Sequence, residues 1–182
     1  MGRSTKLNGT LRAFIERQNM FFVATAGLEG RVNVSPKGAD TLRILSETRI
    51  VWLNLSGSGN ETAGHLRQMN RMTQMFCAFE GEAMILRVYG RAAVLHPRDA
   101  GWREALAQFP EIAGSRQVFD LEIEMVQTSC GTGVPVMRFE RDRVEEELAP
   151  YFDELGADGV RAYWARKNAE TIDGAPTGIL EE

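Results

Sequence analysis

The sequence predicts a mainly β fold, a β-barrel with antiparallel strands and flanking helices. Two observations lead to this prediction. Short apolar segments rich in Val, Ile and Phe recur along the first 139 residues, and such residues favour strands. Most of these segments are separated by short turns, whereas a parallel sheet needs a connection of about a dozen residues or more between strands. With 182 residues, the chain can form one such barrel around its own hydrophobic core.

The first third of the chain is predicted to form a helix followed by two β-hairpins. Apolar residues between Leu7 and Ile15 recur at helical spacing, with Asn8 and Thr10 as candidate N-caps. The strands of the two hairpins are residues 20–26, 31–35, 41–45 and 49–55.

The middle of the chain repeats this alternation of strands and short helices. A Gly- and Ser-rich loop, residues 56–60, precedes a short helix predicted over residues 61–70. Residues 72–79 and 83–95 predict a third hairpin. Within its second strand, Gly90 predicts a bulge or a close backbone approach.

The last part of the chain is predicted to leave the barrel and become helical. Its predicted elements are a helix from Pro97 to about residue 109, strands over residues 117–127 and 134–139, and helix from Val144 to about residue 169, interrupted near Gly156 to Gly159. In that helix Tyr163 and Trp164 are interpreted as core or interface anchors. The predicted organisation is a barrel over residues 1–140 and a C-terminal helical segment, residues 141–182, packed on the same domain.

Charge and composition exclude several classes of protein. The net charge is −4, but residues 140–182 carry −7, which leaves +3 on the preceding residues. A mildly basic body suits a small phosphate-bearing ligand, whereas a nucleic-acid binder would need a concentrated Lys/Arg stripe. No apolar stretch approaches the ~18 residues that cross a bilayer, so we expect a cytoplasmic protein without a membrane partner. The two cysteines, Cys77 and Cys130, form no CxxC motif, and no metal-ligand spacing is found.

The first candidate site is the 56–60 loop with the start of the helix after it. Glycines allow a tight turn, and free N–H groups at a helix N-terminus attract an anion, so this segment predicts a phosphate cradle. The sequence is neither a Walker A loop nor a dinucleotide fingerprint. The alternative is a loop capped by Asn60 or Thr62 with no ligand.

The second candidate is the strand end from Arg31 to Gly38. Asn33 and Ser35 share a strand face, and Pro36 is expected to stop the ladder so that Lys37 can turn toward a ligand. The alternative is an edge strand with solvated side chains.

The third candidate is the polar segment from Gln127 to Gly133. A nucleophilic Cys130 would need a base, but the two histidines, His65 and His96, belong to no recognisable dyad motif. Cys130 is therefore interpreted as a packing residue or a neighbour of a bound group.

Taken together, these segments resemble the pyridoxamine 5′-phosphate oxidase-like family of FMN-binding split-barrel proteins. The stretches that carry the resemblance are FFVATAGLEGRVNVSPKG, VWLNLSGSGNETAGHL, MFCAFEGEAMILRVYGRA, QTSCGTGVP and RAYWARKNAETIDG. The resemblance implies a split β-barrel of antiparallel Greek-key type, and a homodimer with FMN sites at the subunit interface. It also implies a set of cofactor-binding residues: Arg31, Asn33, Ser35, Pro36, Lys37, Asn54, Gly57, Ser58, Gly59, Asn60, Thr62, Arg87, Gln127, Thr128, Ser129 and Cys130.

The function implied by the resemblance is an FMN-dependent oxidoreductase with a small-molecule substrate. The oxidase has an Arg-Lys pair where Glu61 and Thr62 stand here, and no RxH pattern follows Gln127. These departures weaken the case for pyridoxamine phosphate as the substrate. The alternatives are a flavin carrier or redox sensor without turnover, or a split barrel that binds another group such as haem or a deazaflavin.

Overall fold

The computed structural model describes residues 2–181, and its central element is an antiparallel sheet of eight strands. The strands are β1 (Arg3–Ser4), β2 (Met20–Thr25), β3 (Asn33–Gly38), β4 (Leu42–Ser46), β5 (Arg49–Leu55), β6 (Arg71–Cys77), β7 (Ile85–Leu95) and β8 (Ser115–Ser129). The helices are α1 (Gly9–Glu16), α2 (Glu61–Gln68), α3 (Trp102–Leu106) and α4 (Ala149–Lys167), the last preceded by a π-helical turn, Val144–Leu148. None of the helices in this part of the chain is long and apolar enough to cross a membrane.

The sheet has the strand order β3-β2-β6-β7-β8-β5-β4, with β1 paired to β8. It curls into a half-barrel with the helices on its flanks, so the predicted split barrel with antiparallel strands is confirmed. Side chains from opposite parts of the curl meet inside it, where Phe21 of β2 lies edge-on to Trp52 of β5, with 6.2 Å between the ring centroids. Each of these rings also stacks on a ring of the neighbouring strand, Trp52 on Phe119 and Phe21 on Phe76. Both pairs are almost inaccessible to solvent, and they form the centre of the main core.

The glycine of the third hairpin has the predicted special role. The register of β7 against β8 shifts between Tyr89 and Gly90. A Cβ at position 90 would lie 1.9 Å from the carbonyl oxygen of Glu122, so only glycine permits this close approach.

Two helical predictions are also confirmed. The Asn8 side chain accepts a hydrogen bond from the N–H of Leu11 at 2.9 Å and caps α1. The long C-terminal helix is kinked at Gly156, whose φ of 62° lies in the left-handed region.

Three sequence predictions need correction. Residues 134–139 form no strand: Pro135 lacks an N–H donor, and Val136 is 86% exposed. The helix expected from Pro97 spans only Trp102–Leu106 and follows Gly101, whose φ is 88°. Finally, Pro36 does not stop the ladder, because it still pairs with Phe22; at a sheet edge the missing N–H of proline costs no ladder bond when it points outward. The segment is thus an edge strand, as the alternative states, but Lys37 is only partly exposed, and its contact with a ligand stays a prediction.

Candidate functional site

A cleft of about 1310 Å³ opens at one end of the half-barrel. Its walls come from the ends of β3 and β5, from one side of α1, and from the turn between β6 and β7. The residues after β8 and the irregular segment before the π-helical turn form its rim. Segments far apart in the sequence thus meet around a single cavity, the size of which suits a cofactor with a substrate beside it.

The structure divides the predicted cofactor-binding residues into two groups. One group lines the cleft: Pro36, Lys37, Asn54, Gly57, Thr128, Ser129 and Cys130. The other group does not: Arg31, Asn33, Ser35, Ser58, Gly59, Asn60, Thr62, Arg87 and Gln127. The role of either group in holding a cofactor stays a prediction, but only the first group borders the large cavity.

Lys37 is the cation in the cleft wall that β3 supplies. Its Nζ lies 5.0 Å from the ring centroid of Trp52, a cation–π contact. Burial, and next the positive charge of Arg116, lower the pKa of Lys37 from 10.5 to about 8. No carboxylate within residues 2–181 forms an ion pair with Lys37, so its charge is available to an anionic ligand.

Arg116 is a functional candidate that sequence reasoning missed. It is only 2% exposed, and burial lowers its pKa to about 10. Its Nη1 donates to the carbonyl oxygen of Gly59 at 3.0 Å, whereas its Nε has no hydrogen-bond partner among the described residues. A buried guanidinium without a carboxylate is costly. The sequence signal was slight, a lone arginine directly before the apolar alternation of β8.

Two buried amides lie beside this pair of cations. Asn54 on β5 donates from Nδ2 to Oε1 of Gln117 at 3.1 Å, and these two residues are register partners of β5 and β8. Asn54 Oδ1 and Gln117 Nε2 have no protein partner in the described part of the chain. The floor of the cleft next to the cations is therefore polar, although the strands that form it are otherwise apolar.

The 56–60 loop connects this floor to α2. The helix begins without a side-chain cap at Asn60, and the hydroxyl of Thr62 instead accepts a hydrogen bond from Asn33 at 3.3 Å. The cap that the alternative interpretation expects at Asn60 or Thr62 is therefore not formed, whereas ligand binding at this loop stays a prediction. Beside Gly57 the space is open, because a Cβ there would have no neighbour within 4 Å.

The other predicted cation, Arg31, lies outside the cleft and has an acidic partner. Its guanidinium forms an ion pair with Asp173, and its backbone N–H donates to the same carboxylate at 2.7 Å. These contacts lower the pKa of Asp173, with the backbone bond as the largest cause. Arg31 is thus engaged by the C-terminal segment of its own chain.

The segment at the end of β8 places small polar groups on the opposite wall. Ser129 accepts a hydrogen bond from Arg87 at 3.2 Å, and Gln127 accepts one from Tyr89 at 3.1 Å. Cys130 is exposed, and hydrogen bonds from Thr132 lower the pKa of its thiol.

Neither histidine lines the cleft, so neither is placed to act as a base for Cys130. His65 is buried against Thr25, with 3.1 Å between Nδ1 and Oγ1. Burial lowers the pKa of His96 to about 4, so this ring is neutral at physiological pH. Within residues 2–181 no three His, Cys, Asp or Glu side chains are grouped to hold a metal ion.

Comparisons with known proteins agree with this architecture. The family model described as pyridoxamine 5′-phosphate oxidase matches residues 7–130. The pyridoxamine 5′-phosphate oxidase family protein ustO of Aspergillus flavus is 34% identical over 187 aligned positions, which cover 93% of this chain and 75% of the relative.

Three solved structures share the fold at low sequence identity. HupZ of Group A Streptococcus has a TM-score of 0.56 and 17% identity, covering 72% of this chain and 99% of that one. A putative pyridoxamine 5′-phosphate oxidase of Lactobacillus delbrueckii has a TM-score of 0.55 and 18% identity, covering 70% and 99%. A pyridoxamine 5′-phosphate oxidase-related, FMN binding protein of Nostoc punctiforme has a TM-score of 0.51 and 13% identity, covering 66% and 82%.

Proposed function

The chain belongs to the pyridoxamine 5′-phosphate oxidase family, and on that basis we propose that it binds FMN in the cleft and acts as an oxidoreductase on a small substrate. The observation that carries the proposal is two desolvated cations without an acidic partner among the described residues: Lys37, which lines the cleft, and Arg116, which donates to the 56–60 loop. The Nostoc punctiforme protein, which shares the fold, is an FMN binding protein, and this supports the same cofactor.

The residues at the inner end of the cleft fit a phosphate group. A dianion would offset both causes that lower the pKa of Lys37, first its burial and then the repulsion from Arg116. Open space next to Gly57 allows a ligand to approach the backbone closely. Lys37 and Gly57 are therefore the residues we expect to contact the phosphate, with Arg116 adding positive potential from below.

The rest of the cleft fits a flat aromatic group with polar edges. Trp52 and Met84 supply apolar surface, while Thr128 and Ser129 supply hydroxyls on the opposite wall. When bound, FMN would supply the electron transfer, so that no side chain need act as a general base. The chain's own contribution is to orient the ring and to exclude water with the rim segment.

We expect a small substrate that differs from pyridoxamine phosphate, because residues with which the oxidase binds phosphate are missing here. Glu61 stands where that enzyme has a cation, and in this structure its carboxylate accepts a hydrogen bond from the N–H of Ile172 at 3.1 Å. In addition, no RxH pattern, by which the oxidase holds the substrate phosphate, follows Gln127. We therefore do not extend the proposal to pyridoxamine phosphate oxidation.

The proposed assembly is a homodimer that shares its two cofactor sites. The outward face of the edge strand β3 supports this proposal, because Val32 and Val34 leave 70% and 61% of their surface exposed beside it. A second subunit packed on this edge would cover both side chains. Sedimentation velocity of the purified protein tests this point.

The experiment that tests the function is a cofactor determination on the purified chain, followed by reduction. We expect yellow protein, or uptake of added FMN, with bleaching by NADH or NADPH and recovery of the colour in air. FMN binding without reduction by either donor would favour the alternative of a flavin carrier or redox sensor. A colourless preparation that takes up no FMN would falsify the proposal, and would direct attention to haem or a deazaflavin.

A further inference from the structure

We infer that Asn168, at the C-terminal end of α4, is a positioning residue for the FMN phosphate. It would fix the backbone of the 56–60 loop, so that Gly57 stays in the cleft wall and the peptide N–H groups of the loop point away from Asn168. The inference rests on the proposed function and adds a residue from the C-terminal segment that itself touches no cofactor.

The side chain of Asn168 binds the loop through its carbonyl groups. Asn168 is fully buried, and its Nδ2 lies 2.8 Å from the carbonyl oxygen of Gly57 and 3.5 Å from that of Gly59. In a planar trans peptide unit, the C=O and N–H point in opposite directions. Carbonyls turned toward Asn168 therefore direct the N–H groups of Ser58 and Asn60 to the other side of the loop.

Two further donors hold the loop from protein side chains. Arg116 Nη1 donates to the carbonyl oxygen of Gly59 at 3.0 Å, and Trp164 Nε1 donates to the hydroxyl of Ser56 at 2.8 Å. In contrast, the backbone N–H groups of residues 57–60 donate to no protein acceptor within residues 2–181. The loop's acceptors are satisfied by the protein, whereas its donors remain for a ligand, which is the polarity that an anion requires.

Hydrogen bonds from other residues hold Asn168 in place, so it can fix the position of the loop backbone. Its N–H donates to the carbonyl oxygen of Trp164 at 2.8 Å. Its own carbonyl accepts from the hydroxyl of Thr177 at 2.5 Å and from Nδ2 of Asn60 at 3.2 Å. The unpaired Nε of the neighbouring Arg116 is an independent sign that this buried region is built for an anion.

The test compares FMN with riboflavin, which has the same ring system but no phosphate. In Asn168→Ala we expect the dissociation constant for FMN to rise about tenfold, as for the loss of one charge-assisted hydrogen bond. The dissociation constant for riboflavin should stay within about twofold of wild type. Quenching of flavin fluorescence measures both constants, and Asn168→Asp should lower FMN affinity at least as much, because a carboxylate would face the Gly57 carbonyl.

Two further variants separate positioning from simple loss of stability. Val88→Ala creates a cavity in the core away from the cleft. This variant should not weaken the binding of one flavin more than the binding of the other. Trp164→Phe removes the donor to Ser56 while keeping an aromatic ring, and it tests the inference even where Asn168→Ala fails to fold. A wild-type protein that binds neither flavin overturns the proposed function and this inference with it. If wild type binds FMN and the loop variants lose both flavins equally, or neither, then the inference alone is wrong.

Discussion

The cleft and the surface of α2 both contain cations, but the cations differ in whether an acid pairs with them. In the cleft, Lys37 has no acidic partner among the described residues, and the nearest strong charge, on Arg116, is also positive. We define the α2 surface as α2 together with Arg31 and residues 168–181. On this surface Arg31 and Arg67 are paired with acids of the same chain. Arg31 pairs with Asp173, and Arg67 pairs with Glu181 at 2.7 Å.

This difference separates cations that can bind an anionic ligand from cations that stabilise the fold through ion pairs. A cation paired with a carboxylate gains little from a phosphate, because the phosphate must displace the existing partner. An unpaired, desolvated cation gains the full interaction. The acidic C-terminal segment thus neutralises one part of the basic body and leaves the other part positively charged.

The largest expected effect comes from removing the cleft cation. In Lys37→Met we expect FMN affinity to fall by about 1.5–3 kcal/mol, the range for a hydrogen bond to a charged group, because the aliphatic stem beside Trp52 is kept while the charge is lost. Riboflavin affinity should change much less. Calorimetric titration with both flavins measures the two effects.

The stability of Lys37→Met distinguishes the loss of a ligand contact from misfolding as the cause of weaker FMN binding. Since Lys37 is charged and desolvated in the free protein, Lys37→Met should raise the melting temperature, with a gain on the order of 1 kcal/mol. A variant with lower stability and unchanged FMN affinity would contradict both expectations and remove Lys37 from the site.

Two glycines offer a matched comparison between the regions. A Cβ at Gly64 would lie 2.3 Å from Cγ2 of Thr171, whereas a Cβ at Gly57 would meet nothing within 4 Å. Gly64→Ala should therefore cost about 2 kcal/mol of folding free energy, with little effect on FMN affinity. Gly57→Ala should leave stability within about 0.5 kcal/mol and weaken FMN binding, because the methyl group occupies the space of the ligand.

Chemical denaturation and flavin titration of these two variants check the comparison. The expected pattern is a crossed one, in which each substitution affects one measurement only. If both variants lose stability alone, the open space beside Gly57 is not a ligand site.

The pH dependence of binding should follow the charge of Lys37. Its pKa is about 8 in the folded protein and 10.5 ordinarily. A phosphate monoester is mostly doubly charged above about pH 7, so FMN affinity relative to riboflavin should fall up to about tenfold between about pH 7 and about pH 9. The Lys37→Met variant should show a flat ratio over this range.

Stability of the free protein should change in the opposite direction over the same titration. Between about pH 8 and pH 10.5 the unfolded chain binds the Lys37 proton more tightly than the folded chain does. The contribution of this residue to the free energy of unfolding therefore rises with pH in that window. Denaturation midpoints of wild type and Lys37→Met, measured across it, isolate the contribution.

Features governed by local sequence could be predicted, and features governed by distant pairing could not. The hairpin strands and the kink at Gly156 depend on residues close in the chain, and the structure contains both. Whether Arg31 is paired or free depends on Asp173, which lies 142 residues away in the sequence. No periodicity in the sequence reports that contact.

The candidate site shows the same limit. Lys37 and Gly57 could be selected because Gly-rich loops and strand-end cations are recognisable types of phosphate contact. Arg116 could not, because its importance comes from burial at the start of β8, and a lone arginine in the sequence is ordinarily a surface residue. The false strand over residues 134–139 had alternating apolar residues, but both sides of the end of β8, from which it continues, are already paired, with β7 and with β1.

The smallest expected effect belongs to the paired cation, and it is the sharpest check on the division between the two regions. Arg31→Gln removes an ion pair whose arginine is 70% exposed, so stability should fall by less than about 1 kcal/mol, and FMN affinity should stay within about twofold of wild type. Asp173→Asn should behave in the same way or raise FMN affinity slightly by freeing the guanidinium. A loss of FMN affinity in Arg31→Gln comparable to that in Lys37→Met, by the same titration, would mean that the ion pair opens to admit the cofactor, and that the closed surface of α2 is part of the binding site.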